Sequence, residues 1–160
     1  MSSILVVFLG NSIYRDDRIG LIIGNKLRDK LVSLGYNVMV LEETGYELVD
    51  VLAGWSKVVI VDSIKTGRHK IGDVFQVDLN EFDVYKRASP HYTGLPETLE
   101  LLYSLDLNPP KEVYLIGIEV SDPYTISDEV TPEIASQLDS ITDKVYKLIL
   151  NILGGSSISG

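Results

Sequence analysis

Three runs dominated by branched aliphatic residues, Ile4–Leu9, Lys57–Asp62 and Glu112–Ile118, restrict what this chain can fold into. The first is a continuous apolar run ended by Gly10-Asn11 and reads as a central strand buried on both faces, and the other two read as further strands. Between the first two, Ile19, Ile23, Leu27, Leu31 and Leu34 recur at helical spacing, with Lys26, Arg28 and Lys30 between them and Gly35 as the stop. Asn37–Leu41 is a further short strand, and residues 44–52 predict a short helix. Strand, helix, strand, helix, strand is the pattern of a parallel sheet with right-handed crossovers.

A fourth strand, Val74–Leu79, breaks this pattern. The connection Ser63–Asp73, with Gly67 and Gly72, is short for a crossover helix, so this strand is expected to run antiparallel. Residues 80–93 are irregular. A helix over Leu95–Leu105 starts with Pro96 in its first turn and stops before Asn108-Pro109-Pro110. Thr131-Pro132-Glu133 opens one final helix, whose stripe is Ile134, Leu138, Ile141, Val145, Leu148 and Ile152 and whose end is Gly154-Gly155. Residues 1–154 therefore form a single domain, and residues 155–160 a flexible C-terminal tail.

Composition removes several function classes. The 160 residues fit one domain, and the absence of cysteine excludes disulfides, thiolate zinc sites and cysteine nucleophiles. A net charge of −9 repels phosphate backbones, so nucleic acid is not an expected partner. No segment is long or apolar enough to cross a bilayer, and the N-terminal apolar run lacks a basic flank, so a cytoplasmic protein is expected.

In a doubly wound sheet, chemistry gathers outside the carboxyl ends of the strands, where successive connections part. Here the segment leaving the first strand is Gly10-Asn-Ser-Ile-Tyr-Arg-Asp-Asp-Arg-Ile-Gly20, and the third strand ends on Asp62. If those strands are neighbours, Asp17 and Asp62 share one lip of the crevice. The glycine spacing does not fit a dinucleotide fold, and two adjacent aspartates at a helix start would repel a pyrophosphate. A P-loop and a nucleophile-elbow serine are both absent. Helix capping is the simpler account of Asp16 and Asp17, but one cap residue suffices. An anion facing another anion at a switch point suits a cation.

His91 lies in Ala88-Ser-Pro-His-Tyr-Thr-Gly-Leu-Pro96, just ahead of a helix, whereas His69 sits among Lys65, Arg68 and Lys70 and reads as surface. Residues 80–93 can span roughly twice the ~20 Å of strand four, so His91 can reach the aspartates. Two carboxylates and an imidazole suit a borderline divalent ion such as nickel or zinc, with positions left open for other ligands.

Gly10-Asn11-Ser12, Asp16-Asp17, Ile19-Gly20, Val-Ile-Val-Asp62 and Ser-Pro-His91, with Leu115-Ile-Gly-Ile-Glu119 and the capped last helix, make a sequence that resembles the hydrogenase maturation endopeptidases. The resemblance implies a three-layer α/β/α fold of the phosphorylase/hydrolase-like type, a five-stranded mixed sheet with strand four antiparallel. It implies an endopeptidase that removes the C-terminal extension of a nickel-loaded nickel–iron hydrogenase large-subunit precursor. The family's metal-binding positions fall on Asp17, Asp62 and His91, which are the expected catalytic and metal-binding residues, while Asp16 is assigned to capping. Nickel is expected to come with the substrate, with no resident cofactor and with zinc or cadmium able to stand in for it in a crystal. The partner is the precursor, and the protein is expected to be a monomer with no membrane or nucleic-acid association. Many family members carry Asp-Gly-Gly after strand two, where this chain reads Leu41-Glu42-Glu43-Thr44-Gly45. Two other readings remain open: a nickel-checkpoint protein that binds the precursor without cutting it, and a flavodoxin-like nucleotide-binding domain.

Overall fold

In the computed structural model, the described residues are 3–42, 47–78 and 95–158. His91 and Glu43, both singled out from the sequence, lie outside them. The elements run β1 (Ile4–Leu9), α1 (Ile19–Ser33), β2 (Asn37–Leu41), α2 (Glu47–Leu52), β3 (Lys57–Ile64), β4 (Val74–Val77), α3 (Leu95–Ser104), β5 (Glu112–Glu119), α4 (Pro132–Ala135) and α5 (Leu138–Ile158).

The aliphatic runs become the centre of one five-stranded sheet of order β2-β1-β3-β5-β4. β1 pairs in parallel with both β2 and β3, and β3 pairs in parallel with β5. Leu5 to Leu9 and Val58 to Val61 have no exposed surface, because helices cover both faces of these strands. Side chains alternate between the faces. Val6, Phe8, Val59, Val61, Ile116 and Ile118 pack with α1 and α5 on one side, through Ile23, Leu27, Ile141 and Val145. Leu5, Val7, Val58, Ile60 and Leu115 pack on the other side against Leu48 and Leu52 of α2 and Leu99 and Leu102 of α3. The result is a three-layer α/β/α fold.

β4 runs antiparallel, as its short connection to β3 implies, but it pairs with β5, which inserts between the two. α1 ends where the sequence places its stop, with Gly35 at φ 96°, the left-handed conformation that glycine adopts without steric penalty.

Three expectations need correction. β3 does not end on Asp62: it continues to Ile64, because β5 also runs on and supplies the pairs Asp62↔Gly117, Ser63↔Ile118 and Ile64↔Glu119. The last helix is two helices, broken at residues 136 and 137, where the Gln137 side chain donates to the carbonyls of Ile71 and Glu133. α5 also runs past Gly154-Gly155 to Ile158. An interior glycine weakens a helix by about 1 kcal/mol but stops it only where the backbone turns left-handed, and Gly154 does not take a positive φ.

The entry of α1 is pinned by its contact with β1. A Cβ on Gly20 would overlap the carbonyl oxygen of Leu9, and one on Gly24 would lie 2.7 Å from Phe8 Cβ. Gly20→Ala should therefore cost stability at or above the upper end of the ~1–3 kcal/mol of ordinary overpacking, since the obstacle is backbone. Chemical denaturation would read this as a fall in midpoint, and an unchanged midpoint would mean that α1 can slide along β1.

Candidate active site

The β1–β3 ladder closes at Phe8↔Val61, one residue short of Asp62, while β3 continues alongside β5. From β1 the chain turns through α1 to β2 on one side, with β3 on the other, so this strand end is the switch point of the sheet. The connection over residues 10–18 folds across it. Gly10 is needed there, because a Cβ would come within 2.9 Å of the carbonyl oxygen of Asp17, which itself accepts from the N–H of Asn11 at 3.3 Å. The Gly-Asn block and the paired acids thus belong to one tight loop.

Asp16, Asp17 and Asp62 have no exposed surface. Asp17 and Asp62 are both held by one residue that the sequence did not single out. The Ser63 hydroxyl donates to Asp17 Oδ1 at 2.6 Å, and the Ser63 N–H donates to Asp62 Oδ1 at 2.8 Å. By strand alternation Asp62 and Ser63 leave β3 on opposite faces, so the Asp62 contact is made through the Ser63 backbone and the Asp17 contact through its side chain. Both aspartates make further interactions.

Asp16 has a different task from the one expected. Arg18, not an aspartate, stands at the N-cap of α1, and no side chain caps that helix. The Asp16 carboxylate instead reaches the loop after β5. Oδ2 accepts from the N–H groups of Ser121 (3.1 Å) and Asp122 (2.8 Å), and Oδ1 accepts from the N–H of Thr131 (2.7 Å). The Thr131 hydroxyl also donates to it, at 3.0–3.1 Å to the two oxygens. Thr131 is the N-cap residue of α4 by position, yet its hydroxyl is spent on Asp16 and makes no cap bond. The backbones add Arg15 N–H to Thr125 O and Asp16 N–H to Asp122 O, both at 2.8 Å, and a Tyr14–Ile126 bridge. Two loops distant in sequence are thereby one wall of the site.

On the opposite flank, the N–H of Ser12 donates to Glu42 Oε1 at 2.8 Å, and the Ser12 hydroxyl donates to the same oxygen. The hydroxyl first, then the N–H, holds the Glu42 carboxyl below its ordinary range. A carboxylate favoured in this way keeps its contact above the ordinary glutamate value and loses it as pH falls through the lowered one. The Ser12 amide resonance should accordingly shift on acidification with an inflection below the ordinary glutamate value, and Glu42→Gln should abolish that inflection. A titration at the ordinary value would mean that the loop and β2 are not tied.

A further buried acid, Glu119 at the end of β5, accepts from Thr66 N–H (2.8 Å), Thr66 Oγ1 (2.6 Å) and Gly67 N–H (3.0 Å) and so braces the turn after β3. His69 is exposed and stacks on Phe75 at 3.8 Å, a surface residue as expected. Among the described residues no group of three or more His, Cys, Asp and Glu side chains is arranged to hold a metal ion. Asp17 and Asp62 lie within that set, while His91 lies outside it.

Comparison with known proteins places similar chains around this geometry. A family model described as HycI, hydrogenase maturation protease, matches residues 25–150. Protein FrxA of Pyrococcus furiosus is 26% identical over 146 residues, which cover 86% of this chain and 96% of that protein. The nickel–iron hydrogenase maturation protease HybD of Thermococcus kodakarensis superposes with a TM-score of 0.69 at 29% identity, over 91% of this chain and 98% of that one. The hydrogenase maturating endopeptidase HybD of Escherichia coli gives 0.74 at 23% identity over 95% and 94%, a likeness of fold.

Proposed function

Because this chain belongs to the hydrogenase maturation protease family, we propose that it removes the C-terminal extension of a nickel-loaded nickel–iron hydrogenase large-subunit precursor. The observation that carries the proposal is the pair of buried carboxylates, Asp17 and Asp62, bound to one residue at the switch point of the sheet. In this reading His91 joins them, as the family's motif implies, in a ligand set that suits a borderline divalent ion already seated in a substrate. Three protein ligands leave coordination positions for the substrate's own groups, so the ion can be read without being kept.

In this reading the site binds precursor only once nickel is in place, and the shared ion orients the peptide to be cut. Water then attacks the scissile carbonyl with one carboxylate as base, and the amine of the released tail takes up a proton. The enzyme acts as a monomer and carries no cofactor of its own.

The test is incubation with nickel-loaded and nickel-free precursor, followed by intact-mass spectrometry. Shortening of the loaded form alone is the expected result. Equal cleavage of both would remove nickel sensing, and capture of the loaded precursor without shortening would make the protein a checkpoint rather than a peptidase.

A further inference from the structure

We propose that Ser63 is the positioning residue of the site, fixing Asp17 and Asp62 relative to each other and so setting their affinity for a divalent cation. The inference rests on the reading of the two aspartates as ligands for the substrate's metal.

Ser63 is fully buried and sits in the sheet, paired with Ile118 of β5. Its two donors serve different partners. The N–H holds Asp62 from the adjacent position in the strand, and the hydroxyl holds Asp17 across 46 residues of sequence. The 2.6 Å separation is typical of a hydroxyl bound to a carboxylate. Asp17 belongs to a loop, Asp62 to a strand, and Ser63 makes a contact with each. Groups that orient metal-binding side chains from behind typically change metal affinity or activity by about 10–100-fold when removed. A serine that merely satisfied a buried acid would affect stability alone.

The experiment compares wild type with Ser63→Ala, which deletes the hydroxyl, and Ser63→Thr, which keeps it. Ser63→Cys, nearly isosteric with a weaker donor, takes the place of the threonine variant if the added methyl prevents folding. Each protein is titrated calorimetrically with Cd²⁺ alone, and kcat and KM are measured on nickel-loaded precursor. We expect Ser63→Ala to weaken Cd²⁺ binding and lower kcat by about 10-fold or more. Threonine should restore both, or cysteine should fall between alanine and serine. Cd²⁺ affinity in Ser63→Ala within twofold of wild type overturns the proposal, whatever happens to its melting temperature. Failures are separable. A wild type that binds Cd²⁺ but cuts nothing sinks the peptidase reading and leaves Ser63 testable by titration. A wild type that cuts normally alongside an equally active Ser63→Ala sinks Ser63 alone.

Discussion

Asp16→Ala should be among the most destabilising single substitutions in this protein, lowering the unfolding free energy by roughly 3–5 kcal/mol. The carboxylate accepts from three backbone N–H groups, of Ser121, Asp122 and Thr131, and from the Thr131 hydroxyl. Alanine leaves these donors without their acceptor at a fully buried position, and each such loss costs about 1–3 kcal/mol, reduced where water can enter. For a chain of this length that corresponds to a fall in melting temperature on the order of 10 °C. Asp16→Asn should not rescue it fully. Asparagine keeps one carbonyl oxygen, but its amide group must then face N–H groups that now point at Oδ1 or Oδ2, donor against donor. Differential scanning calorimetry of both variants decides the matter. Melting within about 2 °C of wild type for the alanine variant would mean that the tie between the two loops contributes little.

Asp62→Asn should reduce precursor cleavage by about 10²–10⁴-fold while leaving the fold intact, the range expected for loss of a ligand or general base. The substitution is nearly isosteric, and the new amide oxygen can still accept the Ser63 N–H. What it loses is the negative charge that a cation or an attacking water requires. Asp16 and Asp17 are neighbours in one loop and Asp62 lies in β3, yet it is Asp16 that binds the β5–α4 loop, so Asp16 substitutions should act on stability and Asp62 substitutions on cleavage. His91→Ala should be as inactive as Asp62→Asn, with an unchanged circular dichroism spectrum. Full activity in either variant would remove that residue from the site.

The sequence carries the sheet because burial on both faces leaves a uniform aliphatic run as its signature, and β1, β3 and β5 each have one. It also carries α1 and its stop, where apolar period and glycine agree. The loop linking β3 to β4 was short enough to predict the reversal, but the insertion of β5 between them depends on which edge was left open. The break at residues 136 and 137 had no signal, since the apolar stripe passes through it without interruption, and the Gln137 side chain there bonds the distant Ile71 carbonyl.

The candidate site divides in the same way. The sequence by itself determined that acids stand at the carboxyl ends of the strands. The β1 run is closed by a glycine, the next helix begins within ten residues, and an aspartate follows four aliphatic residues in β3. Only the tertiary structure decided what each acid does. Asp16 and Asp17 are neighbours of the same type, and capping suits both on local grounds, yet one turns to the β5–α4 loop and the other to Ser63. Local sequence encodes the preference of a residue for a strand, a turn or a helix end. The partner of a buried carboxylate is fixed by which distant backbone the folded sheet brings within about 3 Å of it, and that proximity exists only once the sheet has formed.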